Sequence, residues 1–299
     1  MIRRCSLILF LFAAPACVHA DDRLPAYILE LPGSIEAVFV AETEAAKFHR
    51  FVRASPDVRY RDSRYMSIGQ NGVGKERSWD RRTPLGIFFV SEQLDTSRLH
   101  EKYGVMAFPL DYPNAWDRSM GRAGDGIWIH GAAPGNGSRP PLDTDGCIAL
   151  SNDELSAVAD ELKPLITPVI ITREMQWLPP GRIDSLRSEF RAALDAWVMS
   201  YESGDLYNYL SLYDDDFSYR GLQRDEWSAF RLQAYDTQVI ENVRIDDVLL
   251  LADPEEEGLF LSRFRLTIVG GGQTTRMTKR LYWRRSDDAK WRIVAEDNG

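Results

Sequence analysis

One cysteine and one histidine in the first half of the chain have the residue types that nucleophilic catalysis requires. Cys147 follows a turn-forming Asp145-Gly146 pair, and His130 stands where the apolar run 127–129 gives way to a loop. A protonated imidazole beside a thiol lowers the pKa of the thiol, and it can later donate its proton. The two residues therefore predict a cysteine nucleophile with a histidine base.

The segment between these two residues predicts how they meet. Residues 132–143 are rich in Gly, Asn and Pro, which predicts a surface loop that returns the chain and brings His130 beside Cys147. Gly146 leaves the approach to the sulfur open, and the backbone N–H groups of Gly146 and Cys147 are candidates to stabilise an oxyanion. The alternative for each residue alone is structural: an ordinary histidine, and a buried cysteine that packs as a small hydrophobic residue.

The remaining histidines do not extend this pair into a metal centre. Beyond the first twenty residues the others are His49 and His100, which stand beside charged residues without a motif, and we interpret both as surface residues. One cysteine and one nearby histidine supply too few ligands for zinc at a recognisable spacing. We therefore predict neither a metal nor a cofactor.

The first twenty residues predict a cleaved signal peptide. Arg3 and Arg4 precede the apolar run 6–16, which is too short to span a bilayer, and Ala20 supplies the small residue before a cleavage site. Cleavage before Cys17, as in a lipoprotein, is the alternative. No later stretch is long and apolar enough for a membrane helix, so we predict an exported, periplasmic protein.

Charge and cysteine count narrow the class of protein further. Loss of two of the 36 basic residues with the signal leaves 34 against 45 acidic ones, a net charge of −11. Without a basic run, this charge argues against nucleic acid or anionic lipid as a partner. Cys5 and Cys17 leave with the signal, so Cys147 is the only thiol and cannot form an intramolecular disulfide. A reactive thiol or an intermolecular bond is expected.

The pattern of elements predicts two domains within the 299 residues. The first, residues 21–173, is predicted to be mainly β, with one helix over 152–162 that Asn152 caps. A Pro/Gly break at 178–181 falls in a predicted linker, residues 174–182. The strands predicted for the first domain are 35–40, 64–68, 86–90, 126–129 and 168–171.

The second predicted domain, residues 183–299, has helices first and then strands, which is an α+β arrangement. Apolar residues at three- and four-residue steps predict a long helix through 186–198. We interpret Trp197, Tyr201 and Tyr209 as core residues, and the acidic run 255–257 as a solvated hairpin turn. The other predicted elements are helices at 206–213, ended by Asp214–Asp216, and 227–232, and strands at 239–243, 247–251, 258–269, 274–283 and 290–295.

Several short motifs follow one another in the first half of the chain. They are Ser67-Ile68-Gly69, Gly74-Lys75-Glu76, Thr83-Pro84-Leu85-Gly86-Ile87-Phe88, Tyr112-Pro113-Asn114, Gly126-Ile127-Trp128-Ile129-His130-Gly131 and Asp145-Gly146-Cys147-Ile148. Each motif alone has low specificity, but in this order they resemble the L,D-transpeptidase catalytic domain, also called the YkuD fold. The resemblance covers roughly residues 35–173.

This resemblance implies a mostly β domain with a Cys/His active site. Cys147 would be the nucleophile, His130 the base, and Gly131 the residue whose carbonyl orients the imidazole. The implied reaction is acyl transfer at the bond after meso-diaminopimelate in a peptidoglycan stem peptide. An amine acceptor would give a cross-link or an attached protein, whereas water would give L,D-carboxypeptidase trimming of tetrapeptide to tripeptide.

One position departs from the family pattern. Typical L,D-transpeptidases have Arg two residues after the cysteine, where this chain has Ala149. The Gly-Cys-Ile-Ala-Leu form is similar to a subgroup of carboxypeptidases that shape helical cells and an enzyme that detaches lipoprotein from the wall. Arg118, Arg122 or Arg139 would then supply the missing charge, because a guanidinium suits bidentate carboxylate binding. The competing interpretation is a non-catalytic wall-binding protein.

Residues 183–299 resemble an NTF2-like domain, a cone of helices against a curved antiparallel sheet. The same pairing of domains is typical of the cell-shape carboxypeptidase subgroup. No histidine occurs in this half, so a structural or binding role is expected. We expect it to contact glycan or a protein partner, or to mediate homodimerisation.

Overall fold

The first half of the chain folds around a five-stranded sheet. The computed structural model describes residues 23–124, 126–133, 135, 139–237, 239–287 and 289–299, so the predicted signal peptide lies outside the described residues. The strands of this half are β1 (Leu24–Pro25), β2 (Ile28–Glu30), β3 (Ala37–Glu42), β4 (Lys47–Ala54), β5 (Asp57–Tyr65), β6 (Ile68–Gly69), β7 (Gly86–Phe89), β8 (Ala107–Pro109), β9 (Trp128–His130), β10 (Leu142–Thr144), β11 (Ile148–Ala149), β12 (Pro168–Thr172) and β13 (Trp177–Leu178).

The large sheet of this half has the strand order β5-β4-β3-β12-β7. Smaller sheets lie beside it: β11-β9-β8, the parallel pair β10-β6 and the pair β1-β13. Two short helices, α1 (Ala115–Ser119) and α2 (Asn152–Ser156), and three single 3₁₀ turns, Thr96–Arg98, Glu101–Tyr103 and Ala159–Glu161, complete it. The fully buried side chains of Phe39, Phe88 and Phe108 fill the core between the large sheet and the β11-β9-β8 sheet.

The second half packs helices on a curved sheet. Its elements are α3 (Pro180–Ser203), α4 (Leu206–Ser211), β14 (Tyr213–Tyr219), β15 (Leu222–Gln223), α5 (Arg224–Thr237), β16 (Asn242–Ala252), β17 (Leu259–Gly270), β18 (Gln273–Arg285) and β19 (Trp291–Asp297). The sheet order is β15-β14-β19-β18-β17-β16-β2. The predicted fold class, a mainly β domain followed by an α+β domain, is confirmed.

An aromatic cluster forms the core of this second half. The predicted core residues Trp197, Tyr201 and Tyr209 are 1%, 4% and 2% exposed, and they pack in one cluster with Phe264 and Trp283. Full burial of a large apolar side chain contributes roughly 1.5–3 kcal/mol, so this cluster is a main source of stability here. Among the described residues, no helix has both the length and the apolar character that crossing a bilayer requires.

The two halves are interlocked through the N-terminal segment. Strand β2, within the stretch assigned to the first predicted domain, pairs with β16 and forms an edge of the second sheet. Arg191 of α3 binds the Glu30 carboxylate, and Arg187 donates to the Leu29 carbonyl. Because strand pairing and ion pairs both cross between the halves, the chain segment before β3 ties the second half to the first.

A buried arginine forms a second tie between the halves. Arg280 of β18 donates to both oxygens of Asp297 (2.6 and 2.9 Å) and also binds Asp111, which follows β8. The other oxygen of Asp111 accepts from the backbone N–H of Phe89 at 2.7 Å. Arg280 thus pairs with one carboxylate from each half, Asp111 from the first and Asp297 from the second.

Replacing Arg280 with Met is expected to destabilise the protein by about 2–4 kcal/mol, because the Asp111 and Asp297 carboxylates both lose their hydrogen bonds to a buried guanidinium. Denaturant unfolding followed by tryptophan fluorescence measures the change. The matched control is Arg265→Met, since Arg265 pairs with Asp246 at 2.6 Å on the exposed surface. A loss no larger for Arg280 than for Arg265 would show that the buried tie adds little.

Several predicted elements differ from the structure, among them the strands predicted at 239–243 and 247–251, which form the single strand β16. The helix predicted over 152–162 ends at Ser156 and is followed by the 3₁₀ turn, and its N-cap is Ser151, whose hydroxyl accepts from Glu154 N–H. Residues 214–216 do not merely end a helix; they lie inside β14, where Phe217 is buried. Strand β4 was not predicted, because its Lys and Arg residues mask the apolar positions.

One predicted surface residue is buried. His49 is only 7% exposed, and its Nε2 lies 2.8 Å from the Glu42 carboxylate. The reason is that its partner lies on the neighbouring strand β3, so the local pattern carries no sign of it. The acidic run 255–257 lies, as predicted, in the hairpin turn between β16 and β17, where Glu255 and Glu257 are exposed and Glu256 is half-buried. Glu255 also pairs with Arg173, and Glu256 with Arg122.

Candidate active site

Parallel pairing of β9 and β11 brings the candidate base and nucleophile together. In this register Ile148 pairs with Ile129 and Ala149 with His130, and the Leu150 N–H donates to the His130 carbonyl at 2.9 Å. Cys147 immediately precedes β11, so it enters the same cavity as His130. The pairing of β9 with β11, which flank the predicted loop, therefore fixes the position of His130 relative to Cys147.

The turn before Cys147 is held by two threonines. Thr144 Oγ1 donates to the Cys147 carbonyl at 2.7 Å, and fully buried Thr83 donates its hydroxyl to the Gly146 carbonyl at 2.9 Å. The Thr83 hydroxyl also accepts from the Gly69 N–H at 3.0 Å. Gly146 has φ +127°, and a Cβ there would lie 2.7 Å from the Arg82 carbonyl oxygen, so glycine is required.

Replacing Thr83 with the near-isosteric Val is expected to lower turnover at least tenfold and to destabilise the protein by about 1–3 kcal/mol. The change leaves the Gly146 carbonyl and the Gly69 N–H buried without their partner, and the turn that carries Cys147 shifts. Turnover of a stem peptide, the substrate that the family resemblance implies, and the thermal midpoint are measured together. Thr83→Ser is the control that keeps the hydroxyl, and losses in Thr83→Ser as large as those in Thr83→Val would contradict the role given to the hydroxyl.

The same turn corrects one predicted oxyanion donor. The Gly146 N–H donates to Thr144 Oγ1 at 3.1 Å, so this amide is engaged inside the turn and is not available to a substrate oxygen. Of the two predicted donors, only the Cys147 N–H stays a candidate.

The imidazole of His130 is held by its neighbour in sequence. Its Nδ1 lies 2.6 Å from the Gly131 carbonyl oxygen, and the ring is 4% exposed. A carbonyl only accepts hydrogen bonds, so Nδ1 carries the proton and Nε2 is left as the acceptor. The edge of the Tyr103 ring meets the imidazole at a centroid distance of 5.2 Å. These contacts fix both the tautomer and the orientation of the ring.

Asn152 supports this arrangement from outside the cavity. Its Oδ1 accepts from the Ala132 N–H at 3.1 Å, and its Nδ2 donates to the Ala132 carbonyl at 2.9 Å. A Cβ on Gly131 would lie 2.1 Å from the same Oδ1, so the segment after His130 fits only with glycine. The predicted helix cap is thus a brace for the loop that follows the candidate base.

The cavity around Cys147 and His130 has a volume of about 680 Å³ and carries a basic lining. Among the described residues that line it, four basic side chains face two acidic ones. Asp145 lies 3.4 Å from the Lys102 ammonium and 3.9 Å from the Arg81 guanidinium. The lining residues are Lys75, Ser78, Trp79, Arg81, Lys102, Tyr103, Gly126, Trp128, His130, Arg139, Asp143, Thr144, Asp145 and Cys147. Such a lining favours an anionic ligand.

Burial favours the neutral form of both central residues. It lowers the pKa of His130 to about 4, and the charges of Arg139 and Lys102 act in the same direction. Burial raises the pKa of the Cys147 thiol, and the thiol donates to the Gly126 carbonyl at 3.3 Å. Burial thus favours a neutral thiol and a neutral imidazole over a thiolate–imidazolium pair. A neutral imidazole must take the thiol proton as the sulfur attacks.

The three arginines predicted to bind substrate have different positions. Arg139 lines the cavity, where its Nε donates to the Asp143 carboxylate at 2.7 Å. Arg122 does not line it, because Asp117 (3.2 Å) and Glu256 (2.7 Å) hold its guanidinium near the second domain. Arg118 is exposed at the domain interface, 3.8 Å from Asp297. Of these three arginines, only Arg139 lies in the cavity that contains Cys147 and His130.

Sequence reasoning missed several residues of the cavity. Lys102 and Tyr103 come from a 3₁₀ turn, and the Tyr103 ring lies 4.7 Å from that of Trp128. Trp79 and Arg81 come from the loop between β6 and β7. The Gly74-Lys75-Glu76 motif was the one signal pointing to that loop, but nothing local shows that its residues face the cysteine.

A mainly β domain with a buried thiol and an oriented imidazole in one basic cavity defines a class of cysteine-based enzyme domain. Residues 47–171 match the L,D-transpeptidase catalytic domain family YkuD, and residues 189–297 match the Cds6 C-terminal NTF2-like domain family. The chain therefore carries a YkuD L,D-transpeptidase catalytic domain followed by an NTF2-like domain. At the level of the family, the first domain is that of a cysteine-based peptidoglycan enzyme.

Solved structures share this two-domain fold. Bd1075 from Bdellovibrio bacteriovorus matches with a TM-score of 0.77 and 23% identity, over 93% of this chain and 98% of that one. The helical cell shape determining protein Pgp2 from Campylobacter jejuni matches with a TM-score of 0.75 and 22% identity, over 93% and 95%. At these identities the likeness shows the fold. No curated protein matches the chain in sequence.

Proposed function

We propose that this chain forms an acyl-enzyme on Cys147 with the stem peptides of peptidoglycan, cleaving the bond after meso-diaminopimelate. The observation that carries the proposal is the shared cavity, in which Cys147 meets an imidazole whose Nδ1 is bound to the Gly131 carbonyl. A thiol and an oriented base are the parts that acyl transfer through a thioester requires.

Acylation follows from the protonation states of the two residues. The Cys147 sulfur attacks the carbonyl carbon after the diaminopimelate L-centre while Nε2 of His130 accepts the thiol proton. The Cys147 N–H stabilises the oxyanion of the tetrahedral intermediate. The C–N bond then breaks, and the proton passes from Nε2 to the leaving amine of the terminal residue. The products are a thioester and a free amino acid.

Deacylation runs through the same groups. The incoming acceptor gives its proton to Nε2 as it attacks the thioester carbonyl, and the sulfur leaves and regains a proton from the imidazolium. An amine acceptor yields a new peptide bond, which is L,D-transpeptidation. Water yields a shortened stem peptide, and this hydrolysis is the second candidate function. Ala149 favours the second candidate, because it replaces the arginine that is typical of transpeptidases.

Substrate carboxylates are proposed to bind the basic lining of the cavity. Arg139 is the candidate replacement for the missing family arginine, since its guanidinium faces the cavity and is bound on one edge by Asp143. Lys102 and Arg81, which flank Asp145, supply further positive charge.

Replacing Arg139 with Gln is expected to raise the KM for a stem peptide about tenfold with little change in kcat, because a charge-assisted carboxylate contact is lost in the ground and transition states alike. Steady-state kinetics on a synthetic tetrapeptide measures it. Arg118→Gln is the matched control, as Arg118 lies outside the cavity. An unchanged KM for Arg139→Gln would exclude Arg139 as the carboxylate ligand.

The setting of this reaction is proposed to be the periplasm after removal of residues 1–20. Supporting it are the pattern of the N-terminal segment and the peptidoglycan family of the catalytic domain. Pgp2, which shares the fold, is described as a determinant of helical cell shape. We extend this role to the present chain: trimming or exchange of stem peptides changes how many can be cross-linked, and so changes the shape of the wall.

Mass spectrometry of purified muropeptides incubated with residues 21–299 tests the proposal. Shortening of tetrapeptide to tripeptide is the result expected for hydrolysis. Cross-linked dimers or exchanged terminal residues are the result expected for transpeptidation. If neither product forms, peptidoglycan with covalently attached protein is offered as a substrate. Failure to release that protein as well would support the remaining interpretation, a non-catalytic wall-binding module.

A further inference from the structure

Trp79 is unusual among the aromatic residues of this protein. Its side chain is 93% exposed, although it lines the cavity that contains Cys147 and His130. Its backbone has φ +65°, a left-handed conformation that bulky residues seldom adopt, and Arg81 nearby has φ +55°. Such strain persists only where surrounding contacts impose it, and it clusters at functional sites.

The loop that carries Trp79 is held rigidly by Asp80. One oxygen of this carboxylate accepts from the backbone N–H groups of Glu76 and Arg77 (2.9 and 3.1 Å), and the other accepts from the Lys75 ammonium and the Arg82 N–H (2.9 and 3.1 Å). Burial alone would raise the pKa of Asp80, but these donors lower it to about 2. The carboxylate is therefore charged over the whole working pH range.

Contacts at both ends of the loop complete its support. The Gly74 N–H donates to the Thr83 carbonyl at 2.9 Å, which closes the base of the loop. On its other side the Ala123 N–H donates to the Glu76 carbonyl at 2.8 Å. The Tyr112 hydroxyl donates to the Lys75 carbonyl at 3.1 Å. The fold thus holds an indole ring in solvent at the edge of the cavity, where burial would have been the more stable arrangement.

The chemical nature of the Trp79 side chain indicates which ligand the edge of the cavity binds. An indole face binds weakly polar surfaces, and the C–H faces of a pyranose ring are of this kind. The acylated residue of a stem peptide is the third from the sugar, so the sugar lies roughly 10 Å from the reacting carbon. The sugar therefore lies away from Cys147, and Trp79 is an exposed residue at the edge of the cavity that contains this cysteine. The basic side chains of the same lining serve the carboxylates of the peptide.

We infer that Trp79 forms a saccharide subsite, on which the amino sugar carrying the stem peptide stacks while the peptide enters the cavity. The inference rests on the proposed function, because it takes the stem peptide as the ligand of the cavity. It makes the enzyme select stems that are still attached to glycan over free peptides.

Calorimetric titration of the Cys147→Ala chain, which does not turn the ligand over, tests this subsite. The probes are a disaccharide tetrapeptide and the same tetrapeptide without sugar. Adding Trp79→Ala is expected to weaken binding of the disaccharide form about tenfold and to leave the free peptide unchanged. Trp79→Phe should recover most of the affinity. The matched control is Tyr207→Ala, since Tyr207 is 83% exposed on α4, outside the cavity.

Equal weakening of both ligands, no weakening, or no binding by either ligand would overturn the saccharide subsite. Its failure is distinguishable from failure of the proposed function. Turnover of the sugar-free tetrapeptide by the unsubstituted chain tests the reaction without the sugar. Selective loss of disaccharide binding in Trp79→Ala supports the subsite even where no turnover occurs.

Discussion

Replacing Cys147 with Ala is expected to abolish turnover of stem peptides, with a loss of at least about 10³-fold. The reason is that Cys147 is the only cysteine beyond residue 17, so no second thiol can take over thioester formation. The fold should survive, because the change removes one sulfur, whose hydrogen bond to the Gly126 carbonyl is 3.3 Å long. Product formation is followed by mass spectrometry of muropeptides, and folding by the thermal midpoint.

A second variant of Cys147 separates loss of the nucleophile from a change in the shape of the cavity. Cys147→Ser keeps the size and a hydrogen-bond donor, yet a hydroxyl is a far weaker nucleophile here, so it should lose activity almost as completely. A carbapenem should add its mass to the unsubstituted chain and to neither variant. Turnover retained in Cys147→Ala would contradict a cysteine mechanism. If both variants keep the thermal midpoint of the parent chain, but the parent chain is itself inactive and takes up no carbapenem, the wall-binding interpretation is favoured.

Replacing His130 with Gln is expected to lower kcat/KM about 10²–10⁴-fold, because the proton of the Cys147 thiol then has no acceptor. The pH dependence carries a second signature. The pKa of His130 is lowered to about 4, so the imidazole is neutral and competent above that pH. As the pH falls through about 4 the ring becomes protonated, and kcat/KM of the parent chain should fall with it.

The rate of thiol alkylation tests the protonation state of Cys147. Burial raises the pKa of Cys147, so the rate of reaction with iodoacetamide should be low at neutral pH and rise on the alkaline side of the ordinary thiol range. A plateau of high reactivity from pH 5 to 8 would instead indicate a resting thiolate–imidazolium pair and would contradict the neutral pair. His49→Gln is the matched control. It alters a buried histidine of β4 that lies outside the cavity, so it should leave both pH profiles unchanged.

Much of the candidate site could be predicted from local sequence. Asp145-Gly146 before Cys147 is a turn signal that needs only its own residues, and φ +127° at Gly146 agrees with it. His130 at the end of an apolar run is likewise a local pattern, as is the periodicity that predicts α3. Local patterns are informative here because a tight turn requires particular residues at fixed positions, and an amphipathic helix repeats its apolar residues at three- and four-residue steps.

What the sequence by itself determined is therefore the pair Cys147 and His130, the two fold classes and the glycines of the site. The tertiary structure decided which basic residues reach that pair. Arg139 faces the cavity while Arg122 is held by Glu256, some 130 residues further along. It also decided that β2 joins the second sheet and that Trp79 stands at the cavity rim. Ion pairs and edge-strand pairing depend on which distant segments pack together, and the residues alone carry no local sign of that choice.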